Sequence, residues 1–382
     1  MDIRDKQNTK FLLYIIFFPG IFSWLPKIIY FSLWGILITF IIFFNKINKK
    51  NFIFLSIITF IFIINFLIFP QQKIIIFLYT NFLLKCYPLY FVCSKKINKE
   101  YFINFGYKIA IISNISIILE KIILGKASYM GLGYRLVPVI LIYIFFYLKH
   151  KKGFMLLLIL INSFYLTIYG NRGASLSLII FIILLYFIFY KKTLNKIIHL
   201  ISMTNIILII FILKDKIKKI LINFSYFILK DLDISSYFLS KLILLLNKGL
   251  ASSSSGRDVI YNNAIKFGNE NWLFGNGIGS FRYIYGTYPH NIFLEFYVQF
   301  GIFGIIILVC FLIKVFGYLL LKNYKNKEIL LFLFSLSIPR LILSSSFWER
   351  PEFWGLIAYL GTSRIFLRGK NGKKFIIKKC HI

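Results

Sequence analysis

Residues 28–69 read IIYFSLWGILITFIIFF, NKINKKN and FIFLSIITFIFIINFLIF, so a short basic loop separates two apolar runs. A helix that crosses the hydrocarbon core needs about 20 mostly apolar residues, and fewer where flanking charges reach the interface. About twelve segments have this character: 11–26, 28–44, 52–69, 74–93, 102–124, 136–148, 154–169, 174–190, 197–213, 291–321, 329–347 and 353–367. The sequence therefore predicts an all-α integral membrane protein with about 11–12 transmembrane helices.

The composition excludes most soluble classes. Of 382 residues, 59% are hydrophobic and 15% are charged, with a formal net charge of +33. Soluble domains are about 45–50% apolar and about 25% charged. These values exclude a cytosolic enzyme, a disordered tail, a collagenous chain and a solenoid. The four cysteines have no CxxC spacing, so no disulfide framework, zinc site or redox site is predicted.

Short loops rich in basic residues alternate along the chain with short loops that have few. This alternation predicts the orientation of the chain in the membrane. The basic residues concentrate in 4–10, 46–50, 95–99, 149–152, 191–196, 322–327 and 368–379. The positive-inside rule makes these stretches cytoplasmic, both termini included. Topology thus explains the charge, and no nucleic-acid partner is expected. The N-terminal apolar stretch lacks a small-residue cleavage site, which favours a first span over a removed signal peptide.

The loop pattern divides the chain into three regions. Residues 1–213 form an N-terminal transmembrane helix bundle, 214–290 a large external loop, and 291–382 the C-terminal transmembrane helices and a cytoplasmic tail. Within the loop, 217–229 and 234–246 are predicted amphipathic helices on the outer membrane surface, or a hairpin that dips into the bilayer. The stretch ASSSSG at 251–256 is typical of a flexible link.

The arginines are distributed unlike the lysines. Only nine of the 46 basic residues are arginines, and six of them fall on or near the predicted outer side: Arg135, Arg172, Arg257, Arg282, Arg340 and Arg350. Guanidinium binds phosphate or carboxylate through two parallel hydrogen bonds. As a group they favour an anionic ligand. The alternative is headgroup anchoring, or pairing with Glu349, Glu352 or Asp258.

Two stretches carry unusual motifs. Arg172 lies in the outward turn YGNRGA (169–174), at the start of an apolar helix whose positive end suits a phosphate. The alternative there is a plain turn with one charge at the interface. The stretch WLFGNGIG (272–279) is not a nucleotide loop, because no βαβ unit surrounds it. Its glycines predict a tight turn that lets backbone approach a ligand or a helix.

His290 is the one histidine outside the predicted cytoplasmic segments. Asn291 is a plausible N-cap of the next helix, and Glu295 lies in its first turn. The helix terminus favours a neutral imidazole, as a general base requires, whereas Glu295 opposes it. A structural role for this histidine is the alternative.

In this order, the motifs resemble the bacterial superfamily of O-antigen polymerases and O-antigen ligases, which are polytopic membrane glycosyltransferases. The matching stretches are GNRG (170–173), SGR (255–257), WLFGNGIG (272–279) and PHNIFLE (289–295), then Gly301 and Gly304. The spacing of ten residues between Arg257 and Gly268 is similar to one found in loops of the polymerases. The resemblance in motifs covers about 165–310.

The resemblance implies transfer of a glycan from undecaprenyl diphosphate, without cofactor or metal, on the outer side of the bacterial inner membrane. It implies that Arg172 and Arg257 hold the donor diphosphate and that His290 orients or deprotonates the acceptor hydroxyl. The predicted substrate-binding residues are Arg135, Arg282, Arg340, Asn291 and Glu295. The expected partners are the lipid-linked oligosaccharide, the bilayer, and a flippase and chain-length regulator of the same pathway.

Three functions fit this outline. The spacing from Arg257 to Gly268 favours a polysaccharide polymerase for O-antigen or capsule, which adds the growing glycan to a new lipid-linked repeat unit. A ligase would instead transfer finished glycan to lipid A core or another acceptor. A transporter or flippase for lipid-linked sugars is less favoured, because the special residues lie at the surface and no internal repeat is visible.

Overall fold

A computed structural model describes residues 3–45, 48–124, 129–189, 214–231, 240, 243, 256–321, 326–362, 366–368 and 374–376. The helices are α1 (Ile3–Phe22), α2 (Lys27–Phe44), α3 (Lys49–Ile68), α4 (Gln72–Asn81), α5 (Tyr87–Cys93), α6 (Lys99–Leu124), α7 (Tyr129–His150), α8 (Gly153–Tyr169), α9 (Arg172–Phe189), α10 (Lys214–Tyr226), α11 (Arg257–Glu270), α12 (Ser280–Tyr285), α13 (Ile292–Leu320), α14 (Lys327–Leu343) and α15 (Pro351–Thr362). Two π-helical turns, Phe82–Cys86 and Phe227–Asp231, and a 3-10 turn, Phe347–Glu349, complete the helical structure.

The predicted all-α membrane fold is confirmed. Every predicted span coincides with a helix except 197–213, which lies outside the described residues. Within the described part of the chain, six helical segments are long and apolar enough to cross a membrane, and α8 and α9 are shorter apolar helices. These helices make the protein a polytopic membrane protein.

The structure differs from the sequence prediction at the C-terminal end. The predicted span 353–367 is shorter as a helix, because α15 ends at Thr362. Strand β1 (Phe366–Arg368) then pairs antiparallel with β2 (Lys374–Ile376) in a two-stranded ribbon. In the large loop, 217–229 is helical as predicted, whereas nearly all of 234–246 and 251–255 lie outside the described residues.

The core lies around α14, not around the most apolar helices. Residues 327–339 of α14 are all buried, and α9 and α15 pack against it. In α2, by contrast, Ile41 is the only buried residue. Large apolar side chains such as Phe31 and Phe43 on α2 are exposed. Exposed apolar side chains are expected where a helix faces lipid, so α2 lies at the periphery of the bundle.

The glycine-rich stretch 272–279 forms a loop that crosses α13. Gly275, Gly277 and Gly279 all have φ between 76° and 83°. The Asn276 N–H donates to the Val298 carbonyl (2.7 Å), and the Ile302 N–H donates to the Trp272 carbonyl (2.8 Å). The predicted tight turn with close backbone approach is therefore present, and its neighbour is a helix.

Gly301 is the residue of α13 that makes this crossing possible. Its backbone, at φ 62° and ψ −153°, kinks the helix in a region open essentially to glycine. A Cβ there would lie 2.2 Å from the Leu273 carbonyl oxygen, whereas a Cβ at Gly317 on the same helix meets nothing within 4 Å.

We expect Gly301→Ala to destabilise the protein by at least about 2 kcal/mol, through backbone strain and overlap with Leu273. The control Gly317→Ala should have the Tm of the wild type or a slightly higher one. Thermal unfolding of the purified variants measures both. Equal Tm values for the two variants would contradict the described crossing.

The segment between α14 and α15 is buried although it is not helical. Ser345, Ser346 and Phe347 are each at most 2% exposed. Glu295 accepts hydrogen bonds from the Ser346 hydroxyl and the Phe347 N–H, and Gln299 accepts one from the Trp348 indole (2.8 Å). Buried polar groups on α13 thus hold this segment inside the bundle, where it carries Glu349 and Arg350.

Candidate active site

The predicted site residues begin or end different elements. Arg172 is the first residue of α9, Arg257 the first of α11, and Arg340 lies in the last turn of α14. His290 and Asn291 stand just before α13. In the folded chain, Arg257 and Arg340 lie within electrostatic range of Tyr134, and Arg257 also acts on His290.

His290 has a constrained backbone and a polar, half-buried environment. Its φ is 56°, in the left-handed region. Its ring lies 4.1 Å from that of Tyr288, centroid to centroid, and its Nε2 lies 3.4 Å from the Thr287 hydroxyl. The Nδ1 atom is buried without a hydrogen-bond partner among the described residues. A histidine held in this way has little freedom to change its orientation.

The electrostatic environment keeps this imidazole neutral. Burial, together with the positive charges of Arg257 and Arg282, lowers the pKa of His290 to about 4. Glu295 is not among the groups that set this pKa. Its carboxylate is hydrogen-bonded to Ser346 and Phe347. The neutral form needed for a base therefore prevails at neutral pH.

Arg282 is oriented by Glu349. Two nearly parallel hydrogen bonds of 3.2 and 3.4 Å join its guanidinium to that carboxylate, and its Cζ lies 5.3 Å from the centre of the Tyr288 ring. The alternative of pairing with Glu349 is thus realised for this arginine. The pair fixes the guanidinium beside His290, where its charge still acts on the imidazole.

Arg340 and Tyr134 form the second centre of the group. The Arg340 Cζ lies 3.9 Å from the centre of the Tyr134 ring, and its nearest carboxylate contact is Nη1 to Glu352 Oε1, 4.0 Å. Arg350 is within electrostatic range of both Arg340 and Tyr134. The stacking leaves the edge of the Arg340 guanidinium for other partners, and its Nε is buried without one among the described residues.

The Arg172 turn packs against the same tyrosine. A Cβ at Gly173 would lie 2.1 Å from the Tyr134 hydroxyl, so only glycine admits this contact. Asn171 caps α9, because its side chain accepts a 2.8 Å hydrogen bond from the Ala174 N–H. The positive end of α9 predicted to face a phosphate is thus partly occupied by a cap from its own turn.

The predicted arginines differ in whether they have a carboxylate partner. Arg135 forms a buried ion pair with Glu120, to which Ser23 also donates (3.3 Å). Within the described part of the chain, Arg257 and Arg350 form no ion pair. These two half-buried guanidinium groups are therefore open to pairing with an anion.

Asn291 and Glu295 have structural contacts. Asn291 is the predicted N-cap, since its side chain accepts from the Phe293 N–H (2.9 Å) and the Leu294 N–H (3.3 Å). Glu295 is 2% exposed and anchors the segment that carries Glu349. Substrate binding by these two residues stays a prediction.

A cavity of about 630 Å³ lies beside Arg340 and Arg350, and its lining does not include His290, Arg257 or Arg282. Its basic lining residues are Lys85, Arg135, Arg340 and Arg350, and its acidic ones are Glu120, Glu349 and Glu352. Tyr30, Phe31 and Trp34 of α2 add an aromatic wall. A second cavity of about 650 Å³ lies at the other end of α1 beside Lys6 and Lys10, away from the predicted site residues. The cavity of about 630 Å³ has the size and the mixed polar and apolar lining of a ligand site.

Sequence reasoning missed Tyr134, Lys85 and Glu120 as members of this region. Lys85 and Glu120 carry a usable signal, since each is a charged residue within an apolar segment. Tyr134 is one tyrosine among 25, and nothing in the sequence distinguishes it. In the part of the chain that the structure describes, no three His, Cys, Asp or Glu residues are grouped to hold a metal ion.

Comparison with known proteins agrees with the resemblance seen in the sequence. Residues 154–309 match the family model described as O-antigen ligase. The superfamily resemblance predicted from the sequence is confirmed. The matched region is less than half of the chain, and it contains Arg172, Arg257, Arg282 and His290, whereas Arg135 and Arg340 lie outside it. Members of this superfamily are membrane enzymes of the glycosyltransferase type. No curated protein and no solved structure matches the chain.

Proposed function

We propose that the protein is a polysaccharide polymerase of the O-antigen or capsule type. It transfers a growing glycan from undecaprenyl diphosphate to a new lipid-linked repeat unit, on the outer side of the cytoplasmic membrane, with both termini in the cytoplasm. The observation that supports it most is a neutral His290 beside Arg257 and Arg282, with Arg340 and Arg350 grouped near Tyr134. A flippase and a chain-length regulator would supply the repeat unit and limit its extension.

The arginines suit a reaction in which a lipid diphosphate departs. The bond between the anomeric carbon and the diphosphate oxygen breaks, and negative charge builds up on that oxygen in the transition state. Guanidinium groups already in place stabilise this charge more than that of the bound donor. Arg257 and Arg350 suit this role because they form no ion pair within the described residues.

His290 suits the role of base toward the acceptor hydroxyl. The hydroxyl oxygen forms the new glycosidic bond as its proton passes to Nε2, the nitrogen beside Thr287. An imidazole with a pKa of about 4 is a weak base. Binding of the anionic donor offsets the charges of Arg257 and Arg282, which raises this pKa and strengthens the base when the reactants are present.

This coupling gives the reaction a defined pH dependence. We expect the kcat/KM of the free enzyme to hold down to about pH 5 and to fall as His290 is protonated near pH 4. The acid limb of kcat, which reports the enzyme with bound donor, should lie at higher pH. Initial rates at subsaturating and saturating donor measure the two limbs. A kcat/KM limb at the ordinary histidine pKa, about 6.5, would contradict the described environment.

The second candidate is an O-antigen ligase, favoured by the description of the matching family model. Both enzymes use the same donor, so the acceptor separates them. Donor glycan on undecaprenyl diphosphate should be offered together with a lipid-linked repeat unit and a lipid A core acceptor. Extension of the repeat unit supports the polymerase, and exclusive transfer to the core acceptor would establish the ligase.

A further inference from the structure

Lys85 is a charged residue in the middle of a membrane-spanning segment. The segment Gln72–Cys93 is one of the helical stretches long and apolar enough to cross a membrane. Lys85 is nevertheless exposed. A lysine at that depth is costly against hydrocarbon, and such residues characteristically face a polar cavity and serve a function. Lys85 lines the cavity of about 630 Å³ beside Arg340 and Arg350.

The fold has a local reason to present this side chain. Pro88 has no N–H, so the Leu84 carbonyl loses its usual helical partner. The chain responds with the π-helical turn Phe82–Cys86, in which the Tyr87 N–H donates to the Phe82 carbonyl, and the Trp34 indole donates to the Leu84 carbonyl (2.9 Å). Lys85 lies inside this π-helical turn, where the regular α-helical spacing is interrupted, and such turns are frequent at functional sites.

The contacts of Lys85 leave its positive charge unbalanced. Its Nζ donates to the Asn81 side-chain oxygen (2.6 Å), and among the described residues it forms no ion pair.

The carboxylates of the cavity are engaged elsewhere. Glu120 pairs with Arg135 and Glu349 with Arg282, and Glu352 lies 4.0 Å from Arg340. The lining thus carries four basic side chains against three carboxylates, and neither Lys85 nor Arg350 forms an ion pair with a carboxylate of the described cavity. An anion is the ligand that this arrangement suits.

We propose that Lys85 binds a phosphate group of the lipid-linked substrate inside the cavity, together with Arg340 and Arg350. The ammonium acts as a point charge with three donors, of which Asn81 uses one. The apolar wall of Tyr30, Phe31 and Trp34 would receive the adjoining lipid chain. This inference rests on the proposed function, and it adds a binding residue outside the region matched by the family model.

The test is the binding of undecaprenyl diphosphate without sugars to the full-length protein in phosphatidylcholine nanodiscs. Lys85→Gln keeps a donor for Asn81 but removes the charge, and we expect it to raise the Kd about tenfold or more. Lys85→Arg should stay within about threefold of the wild type. Lys73→Gln, on the same span but not in the cavity lining, should bind like the wild type.

Three results would overturn the inference. A Kd for Lys85→Gln equal to that of the wild type would show that the lysine serves only its hydrogen bond to Asn81. An equal loss in Lys73→Gln would show a general effect of surface charge. Displacement of the probe by equimolar phosphatidylglycerol would assign the site to ordinary phospholipid. Failure of the wild type itself to bind the probe would instead contradict the proposed function.

Discussion

His290→Asn lowers the rate of glycan transfer by about 10²–10⁴, the usual contribution of a positioned general base. Asparagine tolerates the left-handed backbone found at this position, so the fold should persist. Its amide cannot accept the proton of the acceptor hydroxyl at neutral pH. Rates with saturating donor and acceptor measure the loss, since the effect should fall on kcat.

The matched control is His150→Asn. His150 is exposed, contacts Asn104 (3.1 Å) and is distant in sequence from the predicted site residues. The His150→Asn variant should therefore transfer glycan at the rate of the wild type. If His290→Asn retained full activity at equal protein levels, His290 would be a structural residue, and another base would have to be sought.

Arg257→Gln should lower the transfer rate by about 10²–10³, as expected when one preorganised donor to the developing charge is removed. Its charge also contributes to the low pKa of His290. The remaining activity should therefore show its acid limb at higher pH than the wild type. This second readout would not change if Arg257 merely supported the fold.

Lys266→Gln is the control for Arg257→Gln, because Lys266 is an exposed basic residue on the same helix α11. It should leave both the rate and the pH profile unchanged. An equal loss in the two variants would indicate a general role of positive charge on α11, and no specific role of Arg257.

The spans were predictable because hydropathy is a local property. A segment such as 52–69 has to be a membrane helix whatever its neighbours do, and α3 (Lys49–Ile68) confirms it. The N-cap at Asn291 was predictable for the same reason, since a cap depends on a few consecutive residues. The helix at Phe353 was predicted too long, because apolar residues continue past Thr362 into a strand.

The contacts within the site were not predictable from local pattern. Arg282 and Glu349 are separated by 67 residues, and the spacing of the sequence does not indicate which carboxylate an arginine will meet. The spacing of ten residues between Arg257 and Gly268 can be explained only from the three-dimensional structure. Arg257 begins α11, and Gly268 permits close packing, since a Cβ there would lie 2.5 Å from the Tyr297 ring.

The most direct test of the central claim uses purified protein in lipid nanodiscs with EDTA. It is supplied with a repeat unit linked to undecaprenyl diphosphate, and the products are resolved by chain length. We expect a ladder of lengthening glycans with the wild type and with His150→Asn, and no ladder with His290→Asn. No transfer to the repeat unit or to a lipid A core acceptor, with substrate from the native host, would contradict the account.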